Sequence, residues 1–197
     1  MMEDLLKEYR SWKKENAPFY EELKEHGSIL FDRFQPVFEV LAYVDGEIIA
    51  SRMEASDDLD KIFSVGLEYI NDQFQTCKMY LDTYFAGDFH AFLKYDKVIS
   101  ALLYIEDVRY ELHEQGLSPK EEEIDMLVEE LELMLEERRT VPDTFFLYVD
   151  DVMHTAIGEQ EFEFTGIIDI FVDVADTLGL VLDEEEEILI GKDLEGD

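Results

Sequence analysis

Apolar residues recur every three or four positions along most of this chain, which is the period of amphipathic helices. The clearest run is Leu59, Ile62, Phe63, Leu67, Ile70, Phe74, Cys77, Leu81 and Tyr84. Ser56 stands ahead of it as an N-cap. Asp57, Asp58 and Asp60 follow and place negative charge at the positive end of the helix dipole. Gly87-Asp88 predicts a tight break. Phe89, Phe92, Leu93, Ile99, Leu102, Leu103, Ile105, Val108 and Leu112 then continue in a second helix. Residues 98–105 are apolar almost all round, so this helix is expected to be central. Gly116 ends it, and Ser118-Pro119-Lys120-Glu121 reads as a capping box with proline at the first helical position. Ile124, Leu127, Val128, Leu131, Met134 and Leu135 mark a third helix with a narrow apolar stripe and glutamate on nearly every other face. Short connections predict antiparallel neighbours, so residues 57–139 are expected to form a three-helix core.

The flanks are less regular. Residues 2–15 read as an amphipathic helix on Leu5, Leu6, Tyr9 and Trp12. Pro18 is expected to open a separate helix that reaches His26, with Gly27-Ser28 as stop and cap. Two readings compete over residues 29–53. Leu30, Phe34, Val37, Leu41, Val44 and Ile48 fit a helix, whereas Pro36 and the pair Asp45-Gly46 fit a short β-hairpin near residues 37–53. The helix is preferred. Beyond Pro142, residues 145–157 and 162–178 are expected to be helical, with Gly158 and Gly179 as stops. Leu180–Asp183 and Ile188–Gly191 flank four glutamates and read as two short strands or a docking tail. The fold class expected is mostly α. It is an antiparallel helical bundle in one domain over residues 1–197, with a less regular segment at 140–197.

Composition adds two constraints. Hydrophobic residues make up 47% of the chain and aromatic residues 13%, enough for a packed core and against disorder. The net charge is −34, unevenly spread: residues 1–98 carry 11 Lys/Arg against 20 Asp/Glu, and residues 99–197 carry 5 against 30. That field repels polyanions, so neither direct nucleic-acid binding nor an anionic membrane surface is expected. A basic protein surface is attracted instead. The longest apolar run, Val98 to Ile105, is far too short for a membrane span. Charged residues occupy the N-terminal positions where a secretion signal would be apolar. Cys77 lacks an internal partner and sits in an apolar stripe, so it is read as a core residue. A soluble, cytoplasmic protein is expected.

Candidate chemistry is sparse. Asp150, Asp151 and His154 place carboxylates three and four residues before an imidazole. On a helix that set would suit a divalent metal such as Mn, Fe or Zn, with Asp169 or Asp173 as a further ligand. No other cofactor is expected. Glu106, Tyr110 and His113 share one helix face and would form an acidic site if Glu106 were buried. The acids of Glu121–Asp125 lack the second Glu-x-x-Asp that a magnesium cage needs, and Glu184–Glu187 lacks the loop of a calcium-binding hand. Arg10, Lys13 and Lys14 around Trp12 form the one locally basic spot, a candidate for docking on the protein's own acidic half. No phosphate loop, dinucleotide fingerprint, nucleophile elbow or zinc cluster occurs, so an enzyme is the less expected outcome. The sequence by itself names no function. The leading expectation is an acidic helical interaction or regulatory protein that binds a basic protein partner or self-associates. A sharper form is a nucleic-acid mimic along the glutamates of 119–139. The alternative is a metal-dependent enzyme using Asp150, Asp151 and His154.

Overall fold

The computed structural model describes residues 2–51, 57–177, 180–183 and 188–191. Within them the chain is mostly helical. The helices are α1 (Met2–Glu25), α2 (Ile29–Ser51), α3 (Asp57–Phe85), α4 (Phe89–Leu93), α5 (Asp96–Glu114), α6 (Glu121–Glu136), α7 (Phe145–Ile157) and α8 (Ile167–Thr177). Strands β1 (Leu180–Asp183) and β2 (Ile188–Gly191) follow. The chain divides into two compact units: the first runs to Thr76 and resumes at Ile167, and the second is Cys77–Gly166. The division therefore falls inside α3.

In the first unit, α1 packs on α2 and α2 packs on α8. The core is aromatic. Trp12 lies 6.1 Å from Phe38 and 5.1 Å from Phe74 between ring centroids, and Tyr20 stacks on Phe38 at 4.0 Å. Aromatic pairs at these separations add to the large area they bury. The helix expected to restart at Pro18 does not: α1 is continuous through it. Pro18 is exposed, so the carbonyl it leaves without a helical partner, that of Lys14, lies on the wet side of the helix. On the dry side, buried Asn16 donates its Nδ2 to the Trp12 carbonyl at 2.8 Å.

The hairpin considered near residues 37–53 is not formed. Helix α2 runs through Pro36 and Asp45-Gly46 to Ser51, and residues 52–53 lie outside the described residues. The helical period explains the choice. It buries Leu30, Phe31, Phe34, Val37, Phe38, Leu41 and Val44 along one side, which a period of two would split between two faces. Asp45 is also held in the helix by Arg10 of α1, whose Nη2 and Nε donate to Oδ1 at 2.8 and 3.1 Å.

The first unit closes with α8 and the ribbon. Strands β1 and β2 pair antiparallel, with Leu180 opposite Gly191 and Asp183 opposite Ile188. Ser56, Leu178, Gly179, the Glu184–Glu187 run and residues 192–197 lie outside the described residues.

In the second unit, the single helix expected from Phe89 to Leu112 is broken at Lys94-Tyr95 into α4 and α5, and α5 is its buried part: Val98 through Leu103 are all buried, as are Ile105, Val108 and Leu112. Helix α6 turns Ile124, Leu127, Leu131 and Leu135 inward, and α7 turns Phe145, Val149, Met153 and Ala156 inward. Helix α6 contacts both α5 and α7. Two local expectations differ. Ser118 does not cap α6. Its N–H donates to Gln160 Oε1 at 3.3 Å and its carbonyl accepts from Gln160 Nε2 at 2.8 Å. The helix starts only at Glu121, after Lys120 has donated its N–H to the Ala156 carbonyl at 2.8 Å. Residues 162–166 are likewise not helical. The Glu111 carboxylate accepts the N–H groups of Thr165 and Gly166 at 2.9 and 2.6 Å, and Gln115 Nε2 donates to the Glu163 carbonyl at 3.0 Å. Backbone groups bound by side chains of α5 are not free to enter a helical ladder.

Candidate functional site

The candidate sites read from the sequence are largely dispersed. On α7, Asp150 and Asp151 are adjacent and so point about 100° apart. Asp150 is half-buried and accepts the Tyr104 hydroxyl of α5. Asp151 is exposed. His154 is exposed, and its Nδ1 lies 2.7 Å from the Asp150 carbonyl oxygen. Asp169 and Asp173 belong to α8 of the other unit. Among the described residues, no three His, Cys, Asp or Glu side chains converge into a group that could hold a metal.

Glu106, Tyr110 and His113 share a face of α5, and that face is wet: Tyr110 is 66% exposed and the His113 side chain 87%. Glu106 is not a buried acid. It pairs with Arg109, whose guanidinium also meets Glu121 and Asp125 of α6. One cation thus holds three carboxylates between α5 and α6. Cys77 is fully buried, as expected of a core residue. The basic spot on α1 is engaged within its own unit. Arg10 pairs with Asp45, and Lys13 Nζ sits 5.9 Å from the ring centroids of both Tyr9 and Phe38.

Four phenols in the second unit, Tyr80, Tyr84, Tyr104 and Tyr148, are raised by their surroundings, Tyr80 and Tyr104 the most. Burial, reinforced by the neighbouring Asp150 carboxylate, pushes Tyr104 up to about 12. Burial also raises Tyr80 to about 12, with Glu132 and Glu106 adding to it. The fold therefore favours both neutral phenols. Their stabilisation is complete below the ordinary value of 10 and is lost as pH rises through about 12. The melting temperature is expected to fall over that alkaline interval, and Tyr104→Phe is expected to reduce the fall. An unchanged alkaline slope in that variant would show that Tyr104 is not coupled to folding.

The feature with the most to offer a ligand is a groove of about 510 Å³ along α6 and α7. From α6 it takes Glu123, Met126, Leu127 and Glu130; from α7 it takes Tyr148, Asp151, Val152 and Thr155. Each set has the spacing i, i+3, i+4, i+7, which is one face of a helix. Leu127 is buried by the core below, and Met126 and Val152 complete an apolar floor. Met126 is 69% exposed and Tyr148 43%, and both come from helices whose inward stripes are already filled. The rim is anionic. Neither α6 nor α7 contains a Lys or Arg. Tyr148 donates its hydroxyl to Glu130 at 2.6 Å, and this bond is the first cause that raises its pKa. Thr155 donates its hydroxyl to the Asp151 carbonyl at 2.9 Å.

Of these residues, the sequence points to Asp151 as a metal ligand, to Leu127 as part of the core stripe, and to Glu123 and Glu130 as members of the glutamate row of 119–139. The signal for the groove was the pair Met126 and Leu133, apolar residues two turns apart on an acidic face of α6. A second groove, of about 520 Å³, lies along α1 and α3 and has a more polar lining that includes Glu8, Glu15, Glu68 and Asn71.

No helix among the described residues is long and apolar enough to cross a membrane. No protein-family model matches the chain, and no match is found among curated proteins or solved structures.

Proposed function

We propose that this is an acidic helical interaction protein of the cytoplasm that binds a basic protein partner through the α6–α7 groove, with its helices arranged as an antiparallel bundle. The observation that supports this reading is an apolar floor, exposed at Met126, inside a rim whose charged lining residues Glu123, Glu130 and Asp151 are all acidic, with Lys120 pairing to Glu123 at one end. Burying Met126 and Val152 under a partner would supply affinity, at about 25 cal/mol per Å² of apolar surface covered. The carboxylates would supply selectivity and a fast approach. Self-association through the same face is disfavoured, because a second copy would set Glu123, Glu130 and Asp151 against carboxylates of its own.

The test is a titration of the full-length protein with a fluorescently labelled, Lys/Arg- and Leu-rich peptide. The wild type is compared with Glu123→Lys/Asp151→Lys. Asp151 is exposed, and the pair that Glu123 makes with Lys120 at 3.9 Å is a surface one, so the fold should tolerate the exchange at small cost. Binding is expected to fall by more than about tenfold in the double variant. In the wild type it should also weaken steeply with added salt, since exposed charges are screened within about 8 Å at physiological ionic strength. Equal affinity in the two proteins would remove the groove from consideration.

A further inference from the structure

We infer that the groove receives its partner as an α-helix, an amphipathic one of about two turns whose apolar face is flanked by Lys or Arg; this inference rests on the groove being a binding site. The argument comes from what the groove can and cannot hydrogen-bond. Glu123, Glu130 and Asp151 are acceptors only when ionised. The two hydroxyl hydrogens in the lining are already committed, Tyr148 to Glu130 and Thr155 to the Asp151 carbonyl. Both walls are helices, whose backbone groups are paired internally, so no strand edge is offered for β-addition. Lys120 Nζ, 3.9 Å from Glu123 at one end, is not among the residues that line the groove, so the lining accepts hydrogen bonds and does not donate them.

An extended or polyproline segment laid on this floor would bury carbonyl oxygens with no donor to meet them, which costs free energy at every such group. A helix satisfies its own backbone and presents only side chains. The lining spacing fits this occupant. Glu123 and Glu130 are two turns apart on the same wall, about 10 Å along the axis. Cations at i and i+7 on one flank of the incoming helix would meet them, and a cation on the other flank would meet Asp151. Apolar residues between the two flanks would cover Met126 and Val152. Leu133, 40% exposed and seven residues beyond Met126, extends the α6 wall in the same direction.

Three labelled 18-residue peptides of matched Leu, Lys and Ala content test this against the full-length protein. One is a basic amphipathic helix, one is its scrambled isomer, and one is the first with a central proline. Anisotropy reads affinity, and circular dichroism reads peptide helicity on binding. The amphipathic peptide is expected to bind at least tenfold more tightly than the other two and to gain helix in the complex. Its affinity should drop at least tenfold in Met126→Lys and in Asp151→Lys. Equal affinities for all three peptides, still lost in Asp151→Lys, would overturn the helical occupant and leave the groove standing. Affinities that ignore both substitutions would overturn the groove and this inference with it.

Discussion

Phe171→Ala is expected to lower the unfolding free energy by about 3–5 kcal/mol, the usual cost of emptying a buried aromatic site. Phe171 is 1% exposed and is the residue through which α8 enters the first unit. Its ring occupies a notch made by a missing side chain. A Cβ built on Gly66 of α3 would stand 2.5 Å from Phe171 Cζ and 3.2 Å from Leu41 Cδ2. The glycine is thus retained against helix propensity, which would favour alanine there by about 1 kcal/mol. Gly66→Ala in the wild type is expected to destabilise by about 1–3 kcal/mol through overpacking. In the Phe171→Ala background the same change should become neutral or stabilising, because the ring it would strike is gone. That reversal of sign is a double-mutant coupling that simple loss of a contact cannot imitate. Denaturant unfolding followed by the fluorescence of Trp12, the protein's one tryptophan and a member of the same unit, reads both variants. A loss below about 1 kcal/mol for Phe171→Ala would mean that α8 is not docked as described.

The second large effect is expected at Glu111. Its carboxylate takes two backbone N–H groups, from Thr165 and Gly166, the latter buried and at a φ of +70° that suits glycine. Charge-assisted bonds of this kind contribute about 1.5–3 kcal/mol each, and water can replace part of that at Thr165. Glu111→Ala should therefore cost about 3 kcal/mol. Glu111→Gln, which keeps a single acceptor oxygen, should fall between. Amide hydrogen exchange locates the effect: protection at Thr165 and Gly166 is expected to drop in both variants, ahead of the α5 amides. Retained protection at these two amides in Glu111→Ala would show that the carboxylate does not hold the segment.

These two sites also mark the limits of what could be read without the structure. Each depends on residues far apart in sequence. Gly66 sits inside a strong helical period and looks only like a weak helix position. Glu111 looks like one more acid on a helix flank. The reasons for both lie in what α8 and residues 162–166 bring to them, and no local pattern records that. Pro18, Ser118 and Asp45-Gly46 carry local signals for a break, a cap and a turn. Each is overridden by burial or by a distant partner: the aromatic core around Trp12, Gln160, and Arg10.

The candidate site divides in the same way. Its acidity and its place in the second half were legible in the charge distribution. The inward residues of α6, Ile124, Leu127, Leu131 and Leu135, were legible from their period. The groove itself was not, because it exists only where the outward flank of α6 meets the flank of α7. The same flank residues on isolated helices would be a solvated acidic face.

What the amino-acid sequence determined by itself is the helical class, the buried centre of α5, the core stripe of α6, the burial of Cys77 and the sign of the surface field. All of these follow from local period and summed charge. The tertiary structure alone decided that the chain returns at Ile167 to complete the first unit. It alone decided that helix prevails over hairpin in α2, that Asp150 and Asp151 part company, and that Met126 and Tyr148 stay exposed inside an anionic rim. Such outcomes turn on which surfaces meet across many residues of chain, and the free energy of those meetings outweighs the smaller preferences written into any single segment.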